Sequence, residues 1–283
     1  MIIKIAQNIG FCFGVRRAVE LSQKLAKEYK KTIYTYGELI HNSDVVNKLK
    51  SEDDIVVETD YNKLHKGDIL VIRSHGASND VITNCTNAGI KIIDATCPFV
   101  KNIHEIVKRE CNNRQIIIVG KKDHPEVIGI VSNCSDYAVV NSVSDLYSLD
   151  FKEKVCIVAQ TTSNVNSFYE IAQEVSKKVH DLLIYDTTCK TTRQRQQEAK
   201  ELSSTCSVMF VIGDKNSSNT CKLVDICKQN CNNVYLIENS VFIPKNELNS
   251  KSVIGIVAGA STPDWVIKEV VDELENINKS QNC

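Results

Sequence analysis

Strand-like and helix-like runs alternate along this chain in an order that occurs three times over, so any fold it adopts has to be assembled from three similar units. Each copy shows a cysteine, a helical run, a strand closing on glycine, and a polar loop. After Cys12 the helical run carries Val15, Val19, Leu25 and Tyr29 on one face, and the strand 32–36 ends at Gly37. After Cys97 the apolar positions are Val100, Ile103 and Val107, and the strand 115–119 ends at Gly120. After Cys189 a helix around 194–202 leads to the strand 207–212 and Gly213. The cysteines stand 85 and 92 residues apart and the glycines 83 and 93, so the two markers keep step to within two residues.

Strands and helices alternating at this spacing are the pattern of parallel sheets flanked by helices, which makes the expected class α/β. The expected units are 13–97, 98–189 and 190–283. The first two close with a last strand, 91–94 and 182–186, that runs into the next key cysteine; the third lacks one. The N-terminal run 2–6 is a strand of the missing kind and leads to Cys12, so residues 1–12 are expected to complete the third unit as a short buried strand. Loops at the carboxyl ends of parallel strands are where open α/β folds bind ligands, which puts the polar loops on the same side as the cysteines.

At 283 residues, 42% hydrophobic and 24% charged, the chain can bury one large core or several small ones. A net charge of −1 and the lack of a long basic stretch give no expectation of a nucleic-acid partner. No apolar run approaches the ~18 residues of a membrane span, and residues 10–17 interrupt any secretory segment, so a cytoplasmic chain with no membrane partner is expected. There the twelve cysteines read as reduced thiols.

Cys12, Cys97 and Cys189 each follow a strand and precede a helix. The N–H groups and dipole at a helix start favour thiolate over thiol, and Pro98 is the residue type preferred in a first helical turn. Thiolates select zinc, copper(I) or iron-sulfur clusters. The chain has no Cys-x-x-Cys, the usual mark of structural zinc, and three ligands from distant loops leave one coordination position open. Cys85, Cys111, Cys134, Cys156 and Cys206 read as small hydrophobes in strands or helices. Cys221, Cys227 and Cys231 are denser but have no counterpart in the other units.

Of six histidines, His41, His75 and His124 fall in the repeat loops, while His65, His104 and His180 read as ordinary surface or helix residues. With Thr161, Ser217, Ser218, Asn219 and Ser261 these loops offer many hydrogen-bonding groups and little apolar wall, which suits a small, multiply charged anion such as a diphosphate. Neither Gly-x-Gly-x-x-Gly nor a Walker-type loop occurs, so no nucleotide cofactor is expected. Glu126, beside a negative cluster and a negative ligand, would have its pKa raised and could act as a general acid.

Together these residues resemble the 4-hydroxy-3-methylbut-2-enyl diphosphate reductase family over essentially the whole chain. The resemblance rests on Gly-Phe-Cys-Phe-Gly-Val around Cys12, Glu-Leu-Ile-His-Asn ending at Asn42, Arg-Ser-His-Gly ending at Gly76, Asp-Ala-Thr-Cys-Pro ending at Pro98 and His-Pro-Glu ending at Glu126. It continues in Gln-Thr-Thr ending at Thr162, Thr-Thr-Cys ending at Cys189, Thr-Arg-Gln at 192–194, Lys-Asn-Ser-Ser-Asn ending at Asn219 and Ala-Gly-Ala-Ser ending at Ser261. It implies a trefoil of three α/β units with parallel sheets around a central cavity, pseudo-threefold, holding one 4Fe-4S cluster on Cys12, Cys97 and Cys189 with one open iron.

The implied reaction takes electrons from a ferredoxin- or flavodoxin-type donor, removes the substrate's allylic hydroxyl at the open iron, and yields isopentenyl and dimethylallyl diphosphate, the last step of the non-mevalonate isoprenoid pathway. The resemblance assigns His41, His75, His124, Ser217, Asn219 and Ser261 to the diphosphate, Ser218 to support of that loop, and proton delivery to Glu126 with Thr161. Thr162 is the alternative to Thr161. Some relatives carry further RNA-binding-type domains; none is expected here. The rival is a non-redox iron-sulfur lyase or dehydratase of the quinolinate synthase type, which would bind dicarboxylates through arginine clamps.

Overall fold

The computed structural model describes residues 1–40 and 42–281, so the expected site residue His41 lies outside the described residues. The first stretch runs β1 (Ile2–Ile5), α1 (Phe13–Tyr29), β2 (Ile33–Tyr36), α2 (Ser43–Asp53), β3 (Ile55–Glu58), β4 (Ile69–Ile72), α3 (Asn79–Asn87) and β5 (Lys91–Asp94). Next come α4 (Pro98–Glu110), β6 (Gln115–Val119), α5 (Pro125–Val131), β7 (Tyr137–Val140), β8 (Lys154–Ala159), α6 (Val165–Ser176) and β9 (Asp181–Ile184). The chain continues through α7 (Lys190–Ser203), β10 (Val208–Ile212), α8 (Ser218–Lys228), β11 (Val234–Ile237), β12 (Val253–Ala258) and α9 (Asp264–Gln281).

The strands form three four-stranded sheets in which every pairing is parallel. Their orders, β5-β4-β2-β3, β9-β8-β6-β7 and β1-β12-β10-β11, are one order written three times. Ile2 pairs with Val253 and Ile5 with Ile256, so the strand leading to Cys12 takes the edge that β5 and β9 take before Cys97 and Cys189. It is not the buried strand the sequence led one to expect. Ile2 and Ile5 are 60% and 45% exposed, because an edge strand has a neighbour on one side only.

By internal contacts the chain divides into two compact units. One comprises Met1–Phe13, His41–Val45 and Lys190–Cys283 and holds the β1-β12-β10-β11 sheet; the other comprises Gly14–Ile40 and Val46–Cys189 and holds the other two sheets. In both, the inner strands are mostly apolar. β4, β6 and β10 are buried along their whole length, as expected of parallel sheets covered on both faces. In the second unit Ile117, Val119 and Ile157 pack with Phe168, Ile171 and Val175 of α6 on one face. Ile116, Ile118 and Val158 pack with Ile103 and Val107 of α4 and with Val127 and Ile130 of α5 on the other. In the first unit Phe210, Ile254 and Ile256 meet Val266, Val270 and Leu274 of α9. Each such side chain contributes about 1.5–3 kcal/mol by leaving water.

The glycines that mark the repeat sit where a neighbouring strand's end crowds the turn. A Cβ on Gly37, which has φ +75, would lie 2.7 Å from the Arg73 guanidinium, and one on Gly120 would lie 2.9 Å from Gln160. Glycine is therefore the residue that fits. Among the described residues no helix is long and apolar enough to cross a membrane.

Candidate functional site

The three key cysteines are set by one local device. Each lies at the start of a helix, Cys12 before α1, Cys97 before α4 and Cys189 before α7. Each gives its N–H to a carbonyl in the loop after the adjacent strand: Cys12 to Ala260 at 3.1 Å, Cys97 to Ser74 at 3.0 Å and Cys189 to Thr161 at 3.0 Å. All three are partly exposed, and none of the three helices has an acidic residue in its first turn. Those first turns therefore place no carboxylate beside the thiols. Room is reserved beside one of them: a Cβ on Gly14 would stand 2.8 Å from Cys97 Sγ.

The other cysteines differ. Burial pushes the Cys227 thiol up to about 12, Cys156 to about 12 and Cys134 to about 11, which keeps them protonated. Cys111, Cys134 and Cys206 lie just outside the regular elements in which they were expected, and Cys231 lies beyond the end of α8. Among the described residues no three His, Cys, Asp or Glu side chains are grouped as they would be around a single metal ion.

In the second unit, His124 is the N-cap of α5 and its Nδ1 accepts the Glu126 N–H at 3.1 Å, which leaves the ring proton of the neutral form on Nε2. The His75 ring stands edge-on to it, centroids 5.4 Å apart and planes at 85°. Glu126, in the first turn of α5, is 1% exposed. The Thr161 N–H donates to its Oε1 at 2.6 Å and the Thr161 hydroxyl to its Oε2 at 2.8 Å. Desolvation outweighs both hydrogen bonds and raises the carboxyl to about 7. Thr162 instead accepts from Gln160 at 2.8 Å, so the threonine that meets Glu126 is Thr161. A buried carboxyl poised near neutrality and wired to a hydroxyl can release and regain a proton.

In the first unit, Ser217 caps α8 and its hydroxyl lies 3.4 Å from that of Ser261, which follows β12. Ser218 and Asn219 open α8, both buried. The Asn219 amide has neither its oxygen nor its nitrogen in a hydrogen bond although the residue is 3% exposed. Leaving both ends of a buried amide unmatched is costly, and a polar ligand there would complete the network. Asn42 turns inward as a cap, accepting the Val45 N–H at 3.0 Å.

Sequence reasoning passed over three kinds of residue. His104 was set aside, yet it is half-buried, its ring edge lies against both Gly76 and Gly129, and desolvation first, then Lys108, lowers it to about 4. Arg195, 4% exposed, donates to the carbonyls of Gly10 at 2.5 Å and Ala258 at 2.8 Å and so ties the Cys12 loop to β12. Asp94 and Asp186 fix the loops before Cys97 and Cys189. The only signal for the last pair was their equal distance from a key cysteine.

The family model described as LytB protein matches residues 3–275. A 4-hydroxy-3-methylbut-2-enyl diphosphate reductase of Clostridium perfringens strain SM101 is 45% identical over 279 residues, covering 96% of this chain and 98% of that protein. One from Caldanaerobacter subterraneus subsp. tengcongensis is 44% identical, covering 98% of each. In Clostridium acetobutylicum the similar protein, 45% identical, is longer, and this chain spans 43% of it. A solved structure of (E)-4-hydroxy-3-methyl-but-2-enyl diphosphate reductase, described as the terminal enzyme of the non-mevalonate pathway, superposes with a TM-score of 0.72 at 38% identity, covering 98% of this chain and all of that one. The E-1-hydroxy-2-methyl-but-2-enyl-4-diphosphate reductase of Plasmodium falciparum superposes with a TM-score of 0.93 at 29% identity, covering 98% and 89%.

Proposed function

The chain belongs to the LytB family of 4-hydroxy-3-methylbut-2-enyl diphosphate reductases, and from that premise we propose the residue roles by which it removes the allylic hydroxyl of this diphosphate. The reaction is the terminal step of the non-mevalonate pathway. It consumes two electrons and two protons, releases water, and gives isopentenyl and dimethylallyl diphosphate.

In this reading Cys12, Cys97 and Cys189 are the three protein ligands of a 4Fe-4S cluster with one open iron. Their helix-start positions, the bare first turns of α1, α4 and α7, and the space left by Gly14 beside Cys97 all suit thiolate ligation. When bound, such a cluster supplies the electrons that no side chain can, and a Lewis-acidic iron for the hydroxyl. Its reductant would be a ferredoxin- or flavodoxin-type protein in the reducing cytoplasm, which suits a chain whose eleven described cysteines form no disulfide. The three repeats, 13–97, 98–189 and 190–283 with 1–12, each contribute one such cysteine.

The diphosphate is assigned to His41, His75, His124, Ser217, Asn219 and Ser261, with Ser218 supporting the loop. The unmatched Asn219 amide, the paired Ser217 and Ser261 hydroxyls and the Nε2 proton of His124 are the groups such an anion requires. Holding the diphosphate fixes the allyl end in place. Glu126 then gives a proton, and the Thr161 hydroxyl orders the carboxyl oxygen it leaves from. The observation that carries the assignment is the buried Glu126–Thr161 pair.

The test is anaerobic purification with iron and sulfide counted per chain, followed by the hydroxylated allyl diphosphate and a reduced low-potential dye. Four irons per chain and dye oxidation that depends on the diphosphate are expected. A chain without iron, or with iron and no turnover, overturns the reading.

A further inference from the structure

We infer that Asp94 and Asp186 are positioning residues for Cys97 and Cys189, each fixing the short loop that presents its cysteine; this rests on the reading that those cysteines hold iron. The two loops are built alike. Asp94 Oδ1 accepts the Thr96 N–H at 2.9 Å, and its Oδ2 is held by the Lys101 ammonium at 2.5 Å. Asp186 Oδ1 accepts the Thr188 N–H at 3.1 Å and the Thr188 hydroxyl at 2.6 Å, and its Oδ2 takes the Tyr169 phenol at 2.5 Å. In both copies one oxygen closes a tight turn that ends one residue before the cysteine. The other is anchored from a helix, α4 or α6.

The next N–H, that of the cysteine, goes to the loop after the neighbouring strand, Ser74 for Cys97 and Thr161 for Cys189. Each intervening threonine is thus held on both sides and buried, Thr96 at 5% and Thr188 at 7% exposed. Two consecutive N–H groups with fixed acceptors restrain the backbone that leads into the cysteine. The anchors, an ammonium in one copy and a phenol in the other, share no chemistry beyond donating a proton, so what the two loops have in common is the turn and not a charge pair.

The Cys12 loop does without the device. Seven residues after β1, it is gripped from α7: Asn8 gives its N–H and its side-chain amide to Glu198 at 2.9 and 2.5 Å, and Arg195 takes the Gly10 carbonyl. Asp94 and Asp186 therefore serve two of the three ligands. A shared turn also makes a distinct forecast: asparagine, which keeps the Oδ1 acceptor, should replace the aspartate, and alanine should not.

The experiment compares wild type with Asp94→Ala, Asp94→Asn, Asp186→Ala and Asp186→Asn, all loaded anaerobically. It reads iron and sulfide per chain, the rate of iron loss to an excess ferrous chelator, and thermal unfolding of the iron-free chains. The alanine variants should lose iron on the order of tenfold faster, the scale set by residues that orient metal ligands, with unfolding of the iron-free chains unchanged and asparagine restoring most of the retention. Alanine variants that lose iron at the wild-type rate overturn the inference, as does faster loss that asparagine does not rescue and that tracks a lower unfolding temperature of the iron-free chain. A wild type that takes up no iron overturns the cluster reading and this inference with it.

Discussion

At the scale of single residues, Glu126 holds the balance between burial and hydrogen bonding. Its carboxyl stands at about 7 against an ordinary 4.5 because desolvation exceeds what the two Thr161 donors return. A folded-state pKa above the unfolded one means the fold prefers the protonated form, so the stabilisation is complete below pH 4.5 or so and is lost as pH rises through about 7. Glu126→Gln removes the titration while keeping an oxygen for the Thr161 N–H and an amide for the hydroxyl. The variant should lose at least about 100-fold in turnover, the lower end of what a general acid contributes, yet retain iron and diphosphate binding. Its unfolding free energy should flatten between pH 4.5 and about 7 where wild type declines by an amount on the order of 3 kcal/mol. In the wild type, turnover should fall on the alkaline side as the donor ionises. Wild-type turnover in the glutamine variant, or a pH slope that survives the substitution, would remove the proton-donor role.

At the scale of elements, the starts of α1 and α4 meet at Gly14. Arg17 of α1 donates to the carbonyls of Ala95 and Thr96 at 3.1 and 3.2 Å, which fixes the helix against the loop before Cys97. Gly14→Ala sets two effects against each other: alanine improves the helix by up to about 1 kcal/mol, while its methyl would intrude to 2.8 Å from Cys97 Sγ. The expected outcome is an iron-free chain that unfolds no earlier than wild type but binds less iron, read by thermal unfolding and iron counts on the same preparation. Equal iron in both chains would show that the thiol has room to move. This scale also shows where the sequence was readable. The parallel sheets were legible because β4 and β10 are unbroken apolar runs, β6 is one after Gln115, and glycine closes the same strand in each repeat. Cys97 and Cys189 were legible as ends of the same strand-to-helix step. Gly14 and His104 were not, since what they do depends on atoms brought beside them from another element: Cys97 Sγ for the one, Gly76 and Gly129 for the other. Asp94 and Asp186 stood in view in the repeat, but an equal distance from a cysteine carries no hydrogen bond with it.

At the scale of the molecule, the two ends of the chain are tied into one sheet. β1 pairs with β12, and the N-terminal ammonium donates to the Ser250 carbonyl at 2.8 Å and to Asn278 Oδ1 of α9 at 2.7 Å. Closing so long a loop costs little more than closing a shorter one, since the entropy grows only with the logarithm of length, so a four-residue strand can hold the edge. What it secures is the position of Cys12, seven residues beyond its end. The N–H groups of Ile2 and Ala6 reach the carbonyls of Ser252 and Ile256 at 3.0 and 2.9 Å, and by the alternation of a parallel ladder Lys4 faces β12 as well while Ile5 faces away. Proline removes an N–H and is tolerated on the open side of an edge strand but not on the paired side. Lys4→Pro should therefore cost about 1–3 kcal/mol for a ladder bond lost with its acceptor stranded, and should lower the iron bound per chain by loosening Cys12. Ile5→Pro, whose N–H serves no partner strand, should do far less of either. Thermal unfolding and iron counts on the two variants check this together, and equal losses from both would mean that β1 is held by its side chains and not by its ladder.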